Sequence, residues 1–380
     1  MKELKSIMVI GPVYPYKGGI AHYTGLLSKA LGSQYLVDTV SYSLQYPKFM
    51  FKKEQKDYGN KTFEIKDARF LINTANPFSW MKMKQEIKKK EPDLLIVQWW
   101  HPYFAPCYQW MLHGLKKTKV LFVCHNVLPH ERFPMDRILT KNTLKNGNYC
   151  ILHSKEDEEN LKLLLPKLLY ERTVLPTYQA FCLQHMTREE ARRKLGISLD
   201  DKVILFFGLV RKYKGLGYLI AAANRIVTQY PEMKICIVGD FGSSREEYME
   251  QIRNTGVEDH FIIRDGYVPD AEVEPYFAAA DLNVCPYETA TQSAIVQVAF
   301  GFELPVLATR VGGLPEAVTD GLTGYIVEPM NPDAIAEGVI RYFKEEKEEE
   351  FRKHVSEEKE RFSWDRTVEI IQRLWKAEQE

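Results

Sequence analysis

Paired cysteines, glycine-rich phosphate loops and apolar stretches of membrane length are all missing from these 380 residues, and each gap removes a class of protein. The six cysteines (Cys107, Cys124, Cys150, Cys182, Cys236, Cys285) include no CxxC pair, which speaks against a zinc ribbon or a redox dithiol and reads as buried, reduced thiols. No run approaches the roughly 20 apolar residues of a membrane span. The opening MKELKSIMVIGPVYP runs straight into a strand-like stretch, without the apolar core of about 7 to 15 residues that a signal peptide needs. A cytoplasmic chain is expected, meeting any membrane from the cytoplasmic face. GxGxxG follows the first strand of neither half, and GxxxxGK[ST] is absent, so a nicotinamide dehydrogenase and a P-loop enzyme are disfavoured. HExxH and carboxylate pairs at metal spacing are absent as well, which speaks against zinc.

What remains is an ordinary globular composition, with 45% hydrophobic and 27% charged residues, which excludes wholesale disorder. At roughly 100 to 200 residues per domain the length suggests two domains. Basic and acidic residues balance at 51 each, but unevenly. Through Met186 there are 27 basic and 16 acidic residues, leaving 24 and 35 after it, so the halves carry +11 and −11. Such asymmetry marks an anionic partner on one side. The excess lies in PKFMFKKEQKDYGNK (47–61), SWMKMKQEIKKKEPD (79–93) and LKKTK (115–119). Lysines interleaved with Phe, Met and Trp suit an anionic membrane surface, where each is worth about 1 kcal/mol. A solvated helix face is the plainer reading of any one patch. Nucleic acid is not expected, because no nucleic-acid module accompanies the charge.

Short apolar runs alternate with longer helical patterns: SIMVIGP (6–12), DLLIVQWW (93–100), VLFVCHN (120–126) and YCILHS (149–154) in the first half. The second half repeats the theme with VILFFGLV (203–210), KICIVGD (234–240), FIIRDG (261–266), LNVCPY (282–287) and PVLAT (305–309). This is the pattern of βαβ units and parallel sheets, and it predicts an α/β fold of two Rossmann-like doubly wound domains. Between them the pattern lapses near Thr173–Leu183. TREEARRKLGI then begins a helix that Thr187 and Glu190 cap as S/T-x-x-E.

In open parallel sheets ligands lie beyond the carboxyl ends of the strands. After the first strand, Gly18 and Gly19 precede a helix whose bare N–H groups suit an anion or a sugar hydroxyl, although a tight turn explains a glycine pair equally well. His101 and His125 end two strands, His130 and Glu131 follow closely, and His153 ends the next strand. Without metal spacing these imidazoles point to hydrogen bonding with a substrate. In the second half Arg211 and Lys214 stand on a strand-end loop, offering a bidentate guanidinium and a point charge to a pyrophosphate. Thr291, Gln292 and Ser293 precede an apolar helical run and present its N–H groups toward the same edge.

GGIAHYT, FFGLVRKYKGL, TQSAIVQ and PVLATRVGGLPEAVTDGLTGYIVEP together resemble the retaining nucleotide-sugar glycosyltransferases of family GT4, with strongest agreement over 203–330. The resemblance implies a GT-B fold, two domains facing across a cleft: residues 1–185, on the acceptor side, and 186–361, binding the nucleotide sugar, with 362–380 crossing back to the first. It implies that Arg211 and Lys214 bind the donor diphosphate, with no metal or other cofactor expected, and that Gly18 and Gly19 approach the donor phosphate and the acceptor. His125 would hydrogen-bond the donor sugar, Thr291, Gln292 and Ser293 would meet the phosphates, and Gln297 would face the ribose. His101, His130 and Glu131 become acceptor-side candidates. The acceptor is expected to be a glycan or a lipid-linked saccharide, in cell-envelope or exopolysaccharide synthesis. Many relatives carry an acidic pair spaced E-x7-E, where this chain has Thr289 and Gln297, with Glu288, a further donor-binding candidate, one residue early. That departure keeps a nucleotide-sugar epimerase, a phosphorylase and a silent nucleotide-sugar-binding subunit as alternatives.

Overall fold

A computed structural model describes residues 3–51, 53–59, 61–129 and 132–377. Two compact units form, one from Met1–Val174 with Ser363–Glu380 and one from Leu175–Phe362. The second unit thus starts ahead of residue 185, because its first residues are tied into it: the Thr177 N–H donates to the Phe362 carbonyl (2.9 Å) and that of Tyr178 to the Gln297 carbonyl (3.2 Å).

Seven strands make the sheet of the first unit: β1 (Ser6–Ile10), β2 (Leu36–Leu44), β3 (Arg69–Asn73), β4 (Leu94–Trp99), β5 (Lys119–Cys124), β6 (Tyr149–Leu152) and β7 (Leu169–Arg172). They lie in the order β3-β2-β1-β4-β5-β6-β7, every neighbouring pair parallel. Strands β1, β4, β5 and β6 are the unbroken apolar runs of the sequence, as burial on both faces demands. The outer strands β3 and β7 are only partly covered. Met8, Ile10, Val97, Trp99, Phe104 and Phe122 lie at the centre of the core.

The second unit carries six parallel strands: β8 (Lys202–Phe207), β9 (Met233–Gly239), β10 (Phe261–Asp265), β11 (Leu282–Cys285), β12 (Val306–Thr309) and β13 (Gly324–Val327). Their order is β10-β9-β8-β11-β12-β13, around a core that includes Ile204, Phe206, Leu219, Ile235 and Leu307. Strand order reverses between β1 and β4 in one sheet and between β8 and β11 in the other. At such switch points the connections leave in opposite directions and open a crevice at the carboxyl edge.

Helix signals in the sequence are realised locally. Thr187 and Glu190 form a reciprocal capping box on the helix Arg188–Leu195, which Gly196 ends in the left-handed conformation (φ 69°). From that helix the buried Arg192 reaches both oxygens of Asp281 at 2.8 Å, while Asp281 also accepts from the Val203 N–H at 2.7 Å. This fork ties the helix to the starts of β8 and β11. The terminal helix Trp364–Ala377 buries Val368, Ile371, Leu374 and Trp375 within the first unit. There the Trp364 ring meets that of Tyr23 edge-on at 5.1 Å, and the Gln372 amide donates to the Tyr35 hydroxyl at 2.7 Å. No helix among the described residues is long and apolar enough to cross a membrane.

Candidate functional site

In the second unit the chain leaves β8 through Gly208, whose φ of 112° belongs to glycine. A Cβ there would lie 2.8 Å from the Lys214 ammonium nitrogen, and one at Gly239 would lie 1.8 Å from the Gly208 carbonyl oxygen. The loop continues through exposed Arg211 into a single 3-10 turn, Lys212–Lys214, and turns at Gly215. Gly215 is required twice over: its φ is 65°, and a Cβ would sit 1.9 Å from the Pro286 carbonyl oxygen. The consequence is a lysine folded back over the end of its own strand, at the β8/β11 switch point. The Lys214 Nζ lies 5.5 Å from the Tyr287 ring centroid. Burial lowers its pKa to about 8, with the Cys285 thiol opposing that shift and nearby Arg211 adding to it. Among the described residues no carboxylate pairs with Lys214 or with Arg211. A half-buried ammonium with no carboxylate beside it is unfavourable for folding and is the kind of group that receives an anionic ligand.

The loop after β11 forms the other wall. The Tyr287 carbonyl accepts from the Thr309 hydroxyl at 2.6 Å, and its own hydroxyl is 3.3 Å from the Ser293 Oγ. Gly312 (φ 46°) and Gly313 allow the 290–292 backbone to pass: a Cβ at 312 would fall 1.4 Å from the Ala290 carbonyl oxygen, and the Gly313 N–H donates to the Thr291 carbonyl at 3.0 Å. Thr291 and Ser293 are buried here. Ser293 holds the N-cap position of the helix Ala294–Gly301 but makes no side-chain cap bond, so that end is not closed by its own serine. Gln292 Nε2 and the buried Gln297 Oε1 have no partner among the described residues. Arg211, Lys214, Thr291, Gln292, Ser293 and Gln297 thus belong to the loops and helix start at one carboxyl edge. Glu288 is on the flank: its backbone N–H donates to the Tyr213 carbonyl (2.7 Å), and its carboxylate, after burial itself, helps raise the Tyr218 phenol.

In the first unit Gly18 precedes the helix Gly19–Gly32 with φ 99° and ψ 166°, a conformation essentially confined to glycine. That helix covers the carboxyl edge and places Tyr23 against His125 (ring centroids 4.8 Å) and His153 (5.5 Å). The two imidazoles lie 5.9 Å apart. Burial, and then the neighbouring His153, holds His125 well below the usual histidine range, and burial lowers His153 to about 4 against the opposing bond to the Thr173 carbonyl. Both are neutral near pH 7. His125 extends the β4–β5 ladder, its N–H donating to the Trp99 carbonyl at 2.8 Å, while its Nε2 is 2.8 Å from the Gln98 Oε1. His101 has a different employment: its Nδ1 accepts from the Tyr103 N–H (3.0 Å), capping the turn Pro102–Phe104, and its ring stacks on Phe133. His130 and Glu131 lie outside the described residues.

Sequence reasoning passed over Gln98, Tyr23, Gly11 and Tyr287. Gln98 was signalled only as one amide inside an apolar run, and Gly11 only as the residue directly after β1. Among the described residues no three His, Cys, Asp or Glu side chains gather as a metal-binding group.

The family model described as "Glycosyl transferases group 1" matches residues 187–362. The D-inositol 3-phosphate glycosyltransferase of Acidothermus cellulolyticus is 30% identical over 208 residues, 53% of this chain and 46% of that protein. The lipopolysaccharide 1,2-N-acetylglucosaminetransferase of Salmonella typhimurium is 29% identical over 206 residues, 48% of this chain and 53% of that protein. The matches thus span about half the length of these curated relatives. The Anabaena protein HepE, solved in complex with UDP-glucose, superposes over 98% of each chain with a TM-score of 0.74 at 18% identity, a likeness of fold. The two parallel α/β sheets match the GT-B fold of that structure.

Proposed function

We propose, from the premise that residues 187–362 form a glycosyl transferases group 1 domain, that this chain transfers a sugar from a nucleotide-sugar donor to a glycan or lipid-linked acceptor with retention of anomeric configuration. The observation that carries the reading is the half-buried Lys214 ammonium, folded over Gly208 at the β8/β11 switch point with no carboxylate among the described residues to neutralise it. A donor diphosphate supplies the counter-charge. Arg211 grips one phosphate with its planar fork and Lys214 meets the oxygens that gain charge as the sugar departs. The unclosed start of the helix Ala294–Gly301 adds backbone N–H groups. Gln297 offers its carboxamide to the ribose, a neutral hydrogen bond in place of a charge-assisted one.

The acceptor hydroxyl attacks the anomeric carbon on the face that the diphosphate leaves. Its proton passes to the departing diphosphate oxygen, so configuration is retained and no protein nucleophile is needed. With the charge met by Arg211 and Lys214, the proposed reaction assigns no step to a metal. In the first unit His125 and the helix end at Gly18 and Gly19 are assigned to sugar and acceptor hydroxyls. Arg211→Ala and Lys214→Ala are each expected to lose most transfer and most donor hydrolysis while keeping the wild-type circular dichroism spectrum. Near-wild-type rates in both variants, across UDP-, GDP- and ADP-sugars, would refute the assignment.

The first unit's basic surface is assigned to an anionic membrane at its cytoplasmic face, the place where a lipid-linked acceptor would be met. Phe49, Met50 and Phe51 are consecutive and exposed, Phe49 by 80%, between Lys48 and Lys53. The helix Pro77–Lys90 leaves Phe78 71% exposed and carries Lys82, Lys88 and Lys89 on its surface. Vesicles containing phosphatidylserine should sediment the chain and purely zwitterionic ones should not, with Phe49→Ser/Phe51→Ser reducing the difference. Equal binding to both vesicle types would remove the membrane from the account.

A further inference from the structure

We infer that Gln98 is a positioning residue for His125, holding the imidazole as the Nε2–H tautomer so that Nδ1 acts only as a hydrogen-bond acceptor. This rests on the reading that His125 meets a substrate hydroxyl. Gln98 is the penultimate residue of β4, is fully buried, and is the one polar side chain in the strand Leu94–Trp99. Its Oε1 lies 2.8 Å from the His125 Nε2. A carboxamide oxygen can only accept, so the proton of that bond resides on Nε2. The His125 main chain is separately fixed through its N–H to the Trp99 carbonyl, leaving the ring few alternative positions.

Space for this arrangement is made at the β1/β4 switch point. A Cβ at Gly11 would lie 2.5 Å from the Gln98 Cγ and 2.8 Å from the Thr24 Oγ1, so only glycine lets the carboxamide lie where it does. The Gln98 Nε2 has no partner among the described residues. Leucine or methionine would fill an interior position without that unpaired donor, so the carboxamide is a poor choice for packing. Its one side-chain bond goes to the imidazole. Tyr23, edge-on to His125, and His153, itself bonded through Nδ1 to the Thr173 carbonyl, are the other ring neighbours and meet the imidazole ring to ring. A neutral His125 held this way accepts from a sugar or acceptor hydroxyl and does not donate to it. Positions on the substrate that bear a hydroxyl are therefore favoured over those bearing an ether or a deoxy carbon.

The test uses the full chain labelled with 15N-histidine, with the His125 ring signals among the nine histidines identified by their loss in His125→Ala. Long-range 1H–15N spectra of the wild type should show a protonated Nε2 and a bare Nδ1 at His125. Gln98→Met should shift the ring toward a mixture of tautomers, whereas Gln98→Glu, which keeps an acceptor, should restore Nε2–H. Turnover of whichever UDP-, GDP- or ADP-sugar the wild type uses fastest is the second readout: Gln98→Met should lower kcat about tenfold, with a smaller effect on KM, and should cost nothing further in a His125→Ala background. A bare Nε2 in the wild type, or an unchanged tautomer in Gln98→Met, overturns the inference. If the tautomer follows Gln98 while His125→Ala keeps full turnover, it is the assignment of His125 to the substrate that fails. If Gln98→Met does not fold, Gln98→Glu and Gly11→Ala, which presses on the same carboxamide, carry the spectroscopic comparison.

Discussion

Replacing Lys214 with methionine should destroy function and strengthen the fold at once. The side chain keeps its length over Gly208 and beside the Tyr287 ring but loses the charge. Burial takes the lysine from its ordinary 10.5 to about 8. At about 1.4 kcal/mol per pKa unit, and discounting for partial contact with solvent, the half-buried ammonium destabilises the native state by on the order of 2–3 kcal/mol at pH 7. Lys214→Met removes that penalty. The sign follows from linkage: between about 8 and 10.5 the native state has released a proton that the unfolded chain still holds, so wild-type stability rises with pH by about 1.4 kcal/mol per unit through that window. Below it the full penalty is present. All six tryptophans (80, 99, 100, 110, 364 and 375) lie in the first unit, so urea unfolding should be followed by far-ultraviolet circular dichroism, which reports the second unit too. Lys214→Met should be more stable at pH 7 and should lack the alkaline rise. A variant less stable than wild type at pH 7, with the same alkaline slope, would refute the reasoning.

Two further outcomes concern stability alone. Arg192→Leu leaves the buried Asp281 carboxylate with Arg188 (3.3 Å) and the Val203 N–H and takes the donor from the Ala279, Leu199 and Asp201 carbonyls; it should cost about 2–4 kcal/mol in urea unfolding, a loss that Arg192→Leu/Asp281→Asn should partly recover. His153 has a folded pKa of about 4 against an ordinary 6.5, so its neutral form supports the fold fully above pH 6.5, and that support declines as pH falls toward 4. Tryptophan fluorescence, which reports the first unit, should show the decline in the wild type and a shallower one in His153→Gln.

The parts of the molecule legible in the sequence were those where local chemistry and the fold agree. Runs such as DLLIVQWW and VILFFGLV are buried on both faces, and such burial writes itself as unbroken apolar sequence. Thr187 and Glu190 announced their helix, because a capping box is a local device. Strand β2, LVDTVSYSL, went unread because its exposed start and small polar residues blur the pattern, and β3 and β7 because sheet margins are only half covered. Side-chain partnerships were harder still. His101 and His125 both end strands, yet one caps a turn while the other enters a cluster with Tyr23, Gln98 and His153. The need for glycine at 11 and 312 arises from backbone and side chains distant in sequence, which no local pattern records. The lysine of the RKYKG loop was readable as a cation, but its burial without a counter-ion belongs to the fold.

The claim on which the rest depends is that Arg211 and Lys214 hold a diphosphate. Calorimetric titration of UDP, GDP and ADP, each beside its nucleoside, into the wild type and Lys214→Met tests it without knowledge of the acceptor. One diphosphate should bind well while its nucleoside binds weakly. Lys214→Met should lose about 10- to 100-fold of that affinity, the worth of a charge-assisted hydrogen bond, and wild-type affinity should fall about tenfold per unit above pH 8 as the ammonium discharges. Equal affinities for nucleoside and diphosphate, unchanged by the substitution and by pH, would contradict the account.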